Sequence, residues 1–118
     1  MPFHKLEVYR KAYDLSLQIH KLTLTFPDFE KYEIGQQLRK CTKSICANLG
    51  EGMGKQGSSK EVVRFLRNAL GSCDETRIWL EYARDLGYIN PDGFGKFYQR
   101  YEEVGRMLNG LVKKWALR

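Results

Sequence analysis

Apolar residues recur along this chain at steps of three and four, the spacing of one face of an α-helix. From Leu6 to Phe26 two adjoining rows run together. One holds Leu6, Tyr9, Tyr13, Ser16 and Thr23, and the other Val8, Ala12, Leu15, Ile19, Leu22 and Phe26. Together they form one wide stripe, which predicts a core-facing helix over residues 4–26. Phe26-Pro27 stops it, because the residue before a proline is pushed out of the helical region. Ile34, Leu38, Cys41, Ile45 and Leu49 predict a second helix over 29–51, ending at the glycines from Gly50 onward. A third opens at Ser58, which forms a capping-box pattern with Glu61, and carries Phe65, Leu66, Ala69, Cys73, Leu80, Ala83 and Leu86 down one side. Gly87 stands where a left-handed cap would end it, so this helix spans 58–86. Asn90 as N-cap and Pro91 as first helical residue open a fourth, over 90–116, with Phe94, Phe97, Tyr101, Val104, Leu108, Leu111 and Trp115.

No period-two strand pattern, internal repeat or low-complexity tract interrupts these segments. A chain of 118 residues with 3 prolines suits one domain, taken as residues 1–118. Long helices joined by short turns pack as antiparallel neighbours. The expected fold is all-α, an antiparallel up-down-up-down four-helix bundle.

Composition narrows the function only slightly. Hydrophobic residues make up 42% and charged residues 29%, an ordinary globular balance. The opening MPFHKLEVYRK has no apolar leader core, and no apolar run approaches the ~20 residues that span a bilayer. A cytoplasmic protein without membrane association is expected. Cys41, Cys46 and Cys73 show no paired ligand spacing, and Cys41 and Cys73 fall at apolar helical positions as reduced core thiols. His4 and His20 lie far apart with no ligand pattern, so no metal site is expected.

The stretch GEGMGKQG, residues 50–57, tests the idea of a phosphate-binding loop. Gly52, Gly54 and Gly57 match the letters of a dinucleotide fingerprint, but SICANL before them belongs to a helix rather than a strand. The Walker pattern fails too: Leu49 stands where its first glycine should be, and Gln56 where the Mg²⁺-binding hydroxyl should follow Lys55. The stretch reads as a helix terminator and turn, and no cofactor is expected. The free N–H groups at the start of the next helix, beside Ser58, Ser59 and Lys60, would suit a phosphate.

Charge gives the better functional signal. The net charge is +6. Arg39, Lys40 and Lys43 cluster in the second helix, Lys55 lies in the loop, and Lys60, Arg64 and Arg67 share a face of the third. These seven are expected to converge on one pole and to bind nucleic acid through its phosphates, with Glu51 and Glu61 as nearby negatives. A solvated face with surface ion pairs is the plainer alternative. Arg106, Lys113, Lys114 and Arg118 form a second cluster, where cations also complement the helix dipole. Gly71, Gly105 and Gly110 each cost ~1 kcal/mol inside a helix, which close helix approach would offset. Trp79, Tyr98 and Trp115 are candidate interface anchors, with Trp115 better placed as core.

The run QLRKCTKSICANLGEG (37–52), preceded by FPDFEKYEIGQ and followed by SSKEVVRFLRNALGSCDE (58–75), resembles the four-helix-bundle proteins encoded within intervening sequences of bacterial 23S rRNA genes. FHKLEVYRKAYDLSLQIHKLT resembles that family's first helix and ARDLGYI the end of its third, so the likeness covers nearly the whole chain. The most specific pieces are FP-x-x-E, QLR-x-x-x-x-SI, N-x-x-EG and GS-x-x-E. The resemblance implies a four-helix bundle and a ring-like homopentamer. It also implies kinship with accessory proteins of diversity-generating retroelements, which associate with a reverse transcriptase and bind nucleic acid. It implies no catalytic activity. Leu49-Gly50 stands where the family more often has Ile-Ala, and the extra glycine is expected to fray the second helix.

The polar residues of these motifs are Asn48, Glu51, Ser72 and Glu75. Capping and helix-to-helix hydrogen bonds are their simplest use, because buried polar groups must be paired. Asn48 lies near the turn while Ser72 lies ~20 Å into the next helix, so direct contact within one subunit is not expected. No nucleophile–base set accompanies the carboxylates. The sequence thus predicts a non-enzymatic, oligomeric helical bundle binding RNA or other nucleic acid. The alternative is a protein–protein scaffold or accessory subunit with no direct nucleic-acid role.

Overall fold

The computed structural model describes residues 2–118, so the first residue of the expected single-domain range lies outside it. A 3-10 turn at Phe3–Lys5 leads into α1 (Glu7–Thr23), followed by the short α2 (Asp28–Lys31), α3 (Ile34–Met53), α4 (Ser59–Asp85) and α5 (Pro91–Ala116). The described residues contain no strand. The bundle measures 46 × 22 × 20 Å.

The four long helices pack in the ring order α1, α3, α4, α5, each against its two neighbours. Side-chain contacts fix the direction of each pair. Arg39 bonds Thr23 while Phe3 packs on Gly50, so α1 and α3 run oppositely. Ser44 meets Ser72 while Gly52 faces Phe65, which reverses α3 against α4. Cys73 bonds the Tyr101 carbonyl and the Arg84 guanidinium covers the Phe94 ring, reversing α4 against α5. Lys11 pairs with Glu103 while Val8 and Leu111 line one groove, reversing α1 against α5. The up-down-up-down order follows. Leu38, Ile45, Leu49, Leu66, Leu80 and Leu108 are fully buried along the axis.

The second predicted helix is two elements. Glu33 leaves the helical region at φ −112°, ψ −100°, separating α2 from α3. Arg39 fills the break: it donates from Nη2 to the Lys31 carbonyl at 2.6 Å and from Nη1 to the Thr23 hydroxyl at 2.8 Å. Gly35 sits in the same corner, where a Cβ would stand 3.0 Å from the Glu30 carbonyl oxygen. At its other end α3 does not fray at Gly50 but continues to Met53. Burying Leu49 and Met53 contributes roughly 1.5–3 kcal/mol each. That outweighs the ~1 kcal/mol that each helical glycine costs. Gly52 allows α4 to approach closely, since a Cβ there would lie 3.1 Å from the Phe65 Cβ.

The caps differ in detail from expectation. The Ser58 hydroxyl accepts from the Glu61 N–H at 3.3 Å, but the Glu61 carboxylate turns to Arg64 instead of returning to Ser58. Asn90 accepts from the Gly93 N–H at 2.7 Å as expected. Gly87, at φ +82°, ends α4 in a Schellman motif, with Tyr88 N–H donating to the Ala83 carbonyl and Gly87 N–H to Arg84. A Cβ added at Gly71 or Gly110 would meet nothing within 4 Å, and one at Gly105 would meet only the Cys73 sulfur at 3.8 Å. Close approach inside the bundle therefore does not explain Gly71 or Gly110.

Candidate nucleic-acid interface

The cations divide into two groups along the bundle axis. The register of α3 on α4 sets Arg39 level with Ile78, so Arg39 and Lys60 stand ~27 Å apart along the axis. The expected convergence of all seven therefore does not occur. Lys55, Lys60 and Arg64 gather at the α3–α4 turn, with Arg67 one turn inward. Arg39, Lys40 and Lys43 lie mid-bundle or beyond. Because α5 runs against α4, its C-terminal Lys113, Lys114 and Arg118 reach the same end as Lys55 and Lys60. This basic pole draws on α4, α5 and the turn between α3 and α4. Sequence spacing ranked the α5 cluster second because distances between separate helices cannot be read from spacing along one.

Each cation has its own setting. Lys40, Lys55, Lys60 and Arg67 are exposed and make no ion pair among the described residues. Arg64 donates to Glu61 from Nε at 2.9 Å and from Nη2 at 3.1 Å, and lies 4.4 Å from the Phe65 ring centroid. That pairing holds the Glu61 carboxyl below the usual carboxylate range. Lys43 Nζ sits 2.8 Å from His20 Nδ1. Burial, then the Lys43 and Arg39 charges, push the His20 imidazole below its ordinary value. Arg39 is half-buried and committed to the α2–α3 break, so its guanidinium already serves the fold.

The motif polar residues form part of a relay between α3 and α4. Asn48 Nδ2 donates to the Ser44 hydroxyl at 3.0 Å and to the Ser44 carbonyl at 2.9 Å, and the Ser44 and Ser72 hydroxyls meet at 2.8 Å. Asn48 and Ser72 do not touch, as expected, yet Ser44 links them within one chain. Thr76 extends the relay, donating to the Ser72 carbonyl at 2.9 Å and lying 3.2 Å from the Cys41 sulfur. Glu75 accepts from the Trp79 indole at 3.4 Å, and Glu51 is exposed beside the turn. Glu30 of the FP-x-x-E motif is buried and accepts from the Tyr88 hydroxyl at 2.6 Å, tying α2 to the end of α4. Ser44 lies four residues before Asn48, one helical turn, and that spacing was the available signal for the relay.

All three cysteines are buried and free, and burial pushes each thiol up to about 11. Among the described residues no group of three or more His, Cys, Asp or Glu side chains could hold a metal ion. No described helix is long and apolar enough to cross a membrane. Trp115 is buried, whereas Tyr13, Leu17, Ile78, Tyr82 and Leu86 are exposed. Tyr13 and Leu17 edge a groove of about 600 Å³ between α1 and α3, a feature absent from the sequence expectations, which put Tyr13 in the core-facing stripe where the fold leaves it half exposed.

Among curated proteins none matches the chain. Among solved structures it is similar to a protein with unknown function from the S23 ribosomal protein family of Bacteroides thetaiotaomicron VPI-5482. The two superpose with a TM-score of 0.84 at 23% sequence identity, over 96% of this chain and 99% of that one, a likeness of fold. The family model for the 23S rRNA-intervening sequence protein matches residues 4–110. The chain belongs to the 23S rRNA-intervening sequence protein family.

Proposed function

We propose that this protein is a non-enzymatic helical bundle that binds RNA or other nucleic acid through its basic pole and associates with copies of itself. The observation that carries the reading is the gathering of Lys55, Lys60, Arg64, Lys113, Lys114 and Arg118 at one end of the bundle. Exposed cations with few paired carboxylates attract phosphates and release counterions, giving salt-sensitive binding with little sequence preference. Lys40, Lys43 and Arg67 extend the same field along the outer sides of α3 and α4. Binding of a structured RNA at low salt tests this. The reading expects micromolar or tighter binding that weakens steeply with salt, and an absence of binding overturns it.

A second reading, a protein–protein scaffold, is favoured by the exposed apolar row of Ile78 and Tyr82 on α4 and Leu86 at its C-cap. These step by four and share one face. The same row suits contact between copies, for which the family resemblance implies a pentamer. Capture of partners with and without nuclease treatment separates the readings: loss on treatment supports nucleic acid, and survival supports a protein partner.

A further inference from the structure

The groove between α1 and α3 has a composition that the basic pole does not explain. Its floor is Cys46, Ala47 and Gly50, and its opposite wall carries Phe3 of the 3-10 turn with Tyr9, Tyr13 and Leu17 of α1. The Tyr9 and Tyr13 rings lie nearly parallel, at 15° with centroids 5.9 Å apart. They form a ridge, because the same two rings also line an adjoining hollow with His4 and Arg10. Tyr13 is 49% exposed.

Cations bracket this ridge. Lys43 edges the groove on one flank, and Arg10 lies in the hollow on the other. The groove's Gly50 end opens toward the turn that carries Lys55, and Lys43 lies toward its other end. Glu51 is the one acid on its lining among the described residues. A carboxylate there repels phosphate but can accept from a base amino group.

We propose that the groove takes unpaired nucleobases of a single-stranded segment, which stack on the Tyr9–Tyr13 ridge while Lys43 and Arg10 hold the flanking phosphates. The inference rests on the nucleic-acid reading above and deepens it. A volume of about 600 Å³ admits a small-molecule-sized group, and an apolar wall between cations is the pattern of a single-strand platform. A duplex keeps its bases stacked inside and gains nothing from such a ridge. It would engage the pole alone.

The test compares a short unstructured single strand with a blunt duplex of equal length, both at low salt, using the full chain and its Tyr13→Ala and Tyr13→Phe variants. Tyr13→Ala is expected to weaken single-strand binding by roughly 5- to 100-fold and to leave duplex binding unchanged, while Tyr13→Phe keeps both. Unchanged single-strand affinity in Tyr13→Ala overturns the groove while the pole stands. A wild-type protein that binds neither probe sinks both ideas. If Tyr13→Ala instead lowers the sedimentation coefficient of the protein alone, the groove seats a second copy and the proposal fails.

Discussion

Arg39 donates to the Thr23 hydroxyl at 2.8 Å, locking the end of α1 to the first turns of α3. Thr23 is fully buried and spends its own proton on the His20 carbonyl, so its oxygen is free to accept. The second Arg39 contact, to the Lys31 carbonyl, satisfies a group that the broken α2 leaves open. Hydrogen bonds from a charged donor are worth about 1.5–3 kcal/mol. Arg39→Ala should therefore lower unfolding free energy by about 2–4 kcal/mol in a urea titration, since its two bonds share one side chain. A loss below ~0.5 kcal/mol, the scale of an ordinary surface substitution, would mean the corner does not depend on it.

The glycines should sort by their surroundings. Gly71→Ala and Gly110→Ala add a Cβ into open space and should each stabilise by about 0.5–1 kcal/mol. Gly35→Ala places its Cβ 3.0 Å from a backbone oxygen and should destabilise by about 1–3 kcal/mol. Thermal unfolding of the three variants checks the order. Equal shifts for all three would contradict the packing described for the Gly35 corner.

Much of the fold could be read from spacing, because burial of one stripe dominates each helix. Leu38, Ile45 and Leu49 fall where periodicity put them, and Asn90 and Gly87 cap as their chemistry dictates. The α2–α3 break was hidden because the residue that stabilises it, Arg39, works through partners eight and sixteen positions away. The site was less legible. Patterns along one helix reveal which cations share its face, but whether Lys60 meets Lys114 depends on packing between separate helices. Likewise Tyr13 carries a core-like signal, yet it and Leu17 line the open groove between α1 and α3 and stay about half exposed.

The Tyr101 hydroxyl is buried and makes no hydrogen bond among the described residues. Burial pushes its ionisation well up. An unmatched buried hydroxyl costs about 1–3 kcal/mol, so Tyr101→Phe should be stabilising by about 1 kcal/mol. Chemical denaturation gives the sign directly, and a loss of stability would mean that the hydroxyl is bonded in solution.

His20 gives the fold an acid-sensitive element. Its folded-state value lies below its ordinary one through burial and the Lys43 and Arg39 charges. As pH falls past the ordinary imidazole range the unfolded chain takes the proton first, so stability declines until the folded value is passed and then levels off. NMR titration of His20 should give a midpoint below that of His20 in the unfolded chain, and His20→Gln should remove part of the decline between neutral and mildly acidic pH. A midpoint at or above the unfolded value would contradict the contact with Lys43.

The most direct test of the central claim is the salt dependence of RNA binding in the wild type, in a Lys60→Ala/Lys114→Ala double variant and in Lys96→Ala at the opposite end of the bundle. Each phosphate contact contributes about 0.7–0.9 to the slope of log K against log salt. The account predicts a slope smaller by about 1.4–1.8 in the double variant and unchanged in Lys96→Ala. Equal slopes in all three proteins would contradict it.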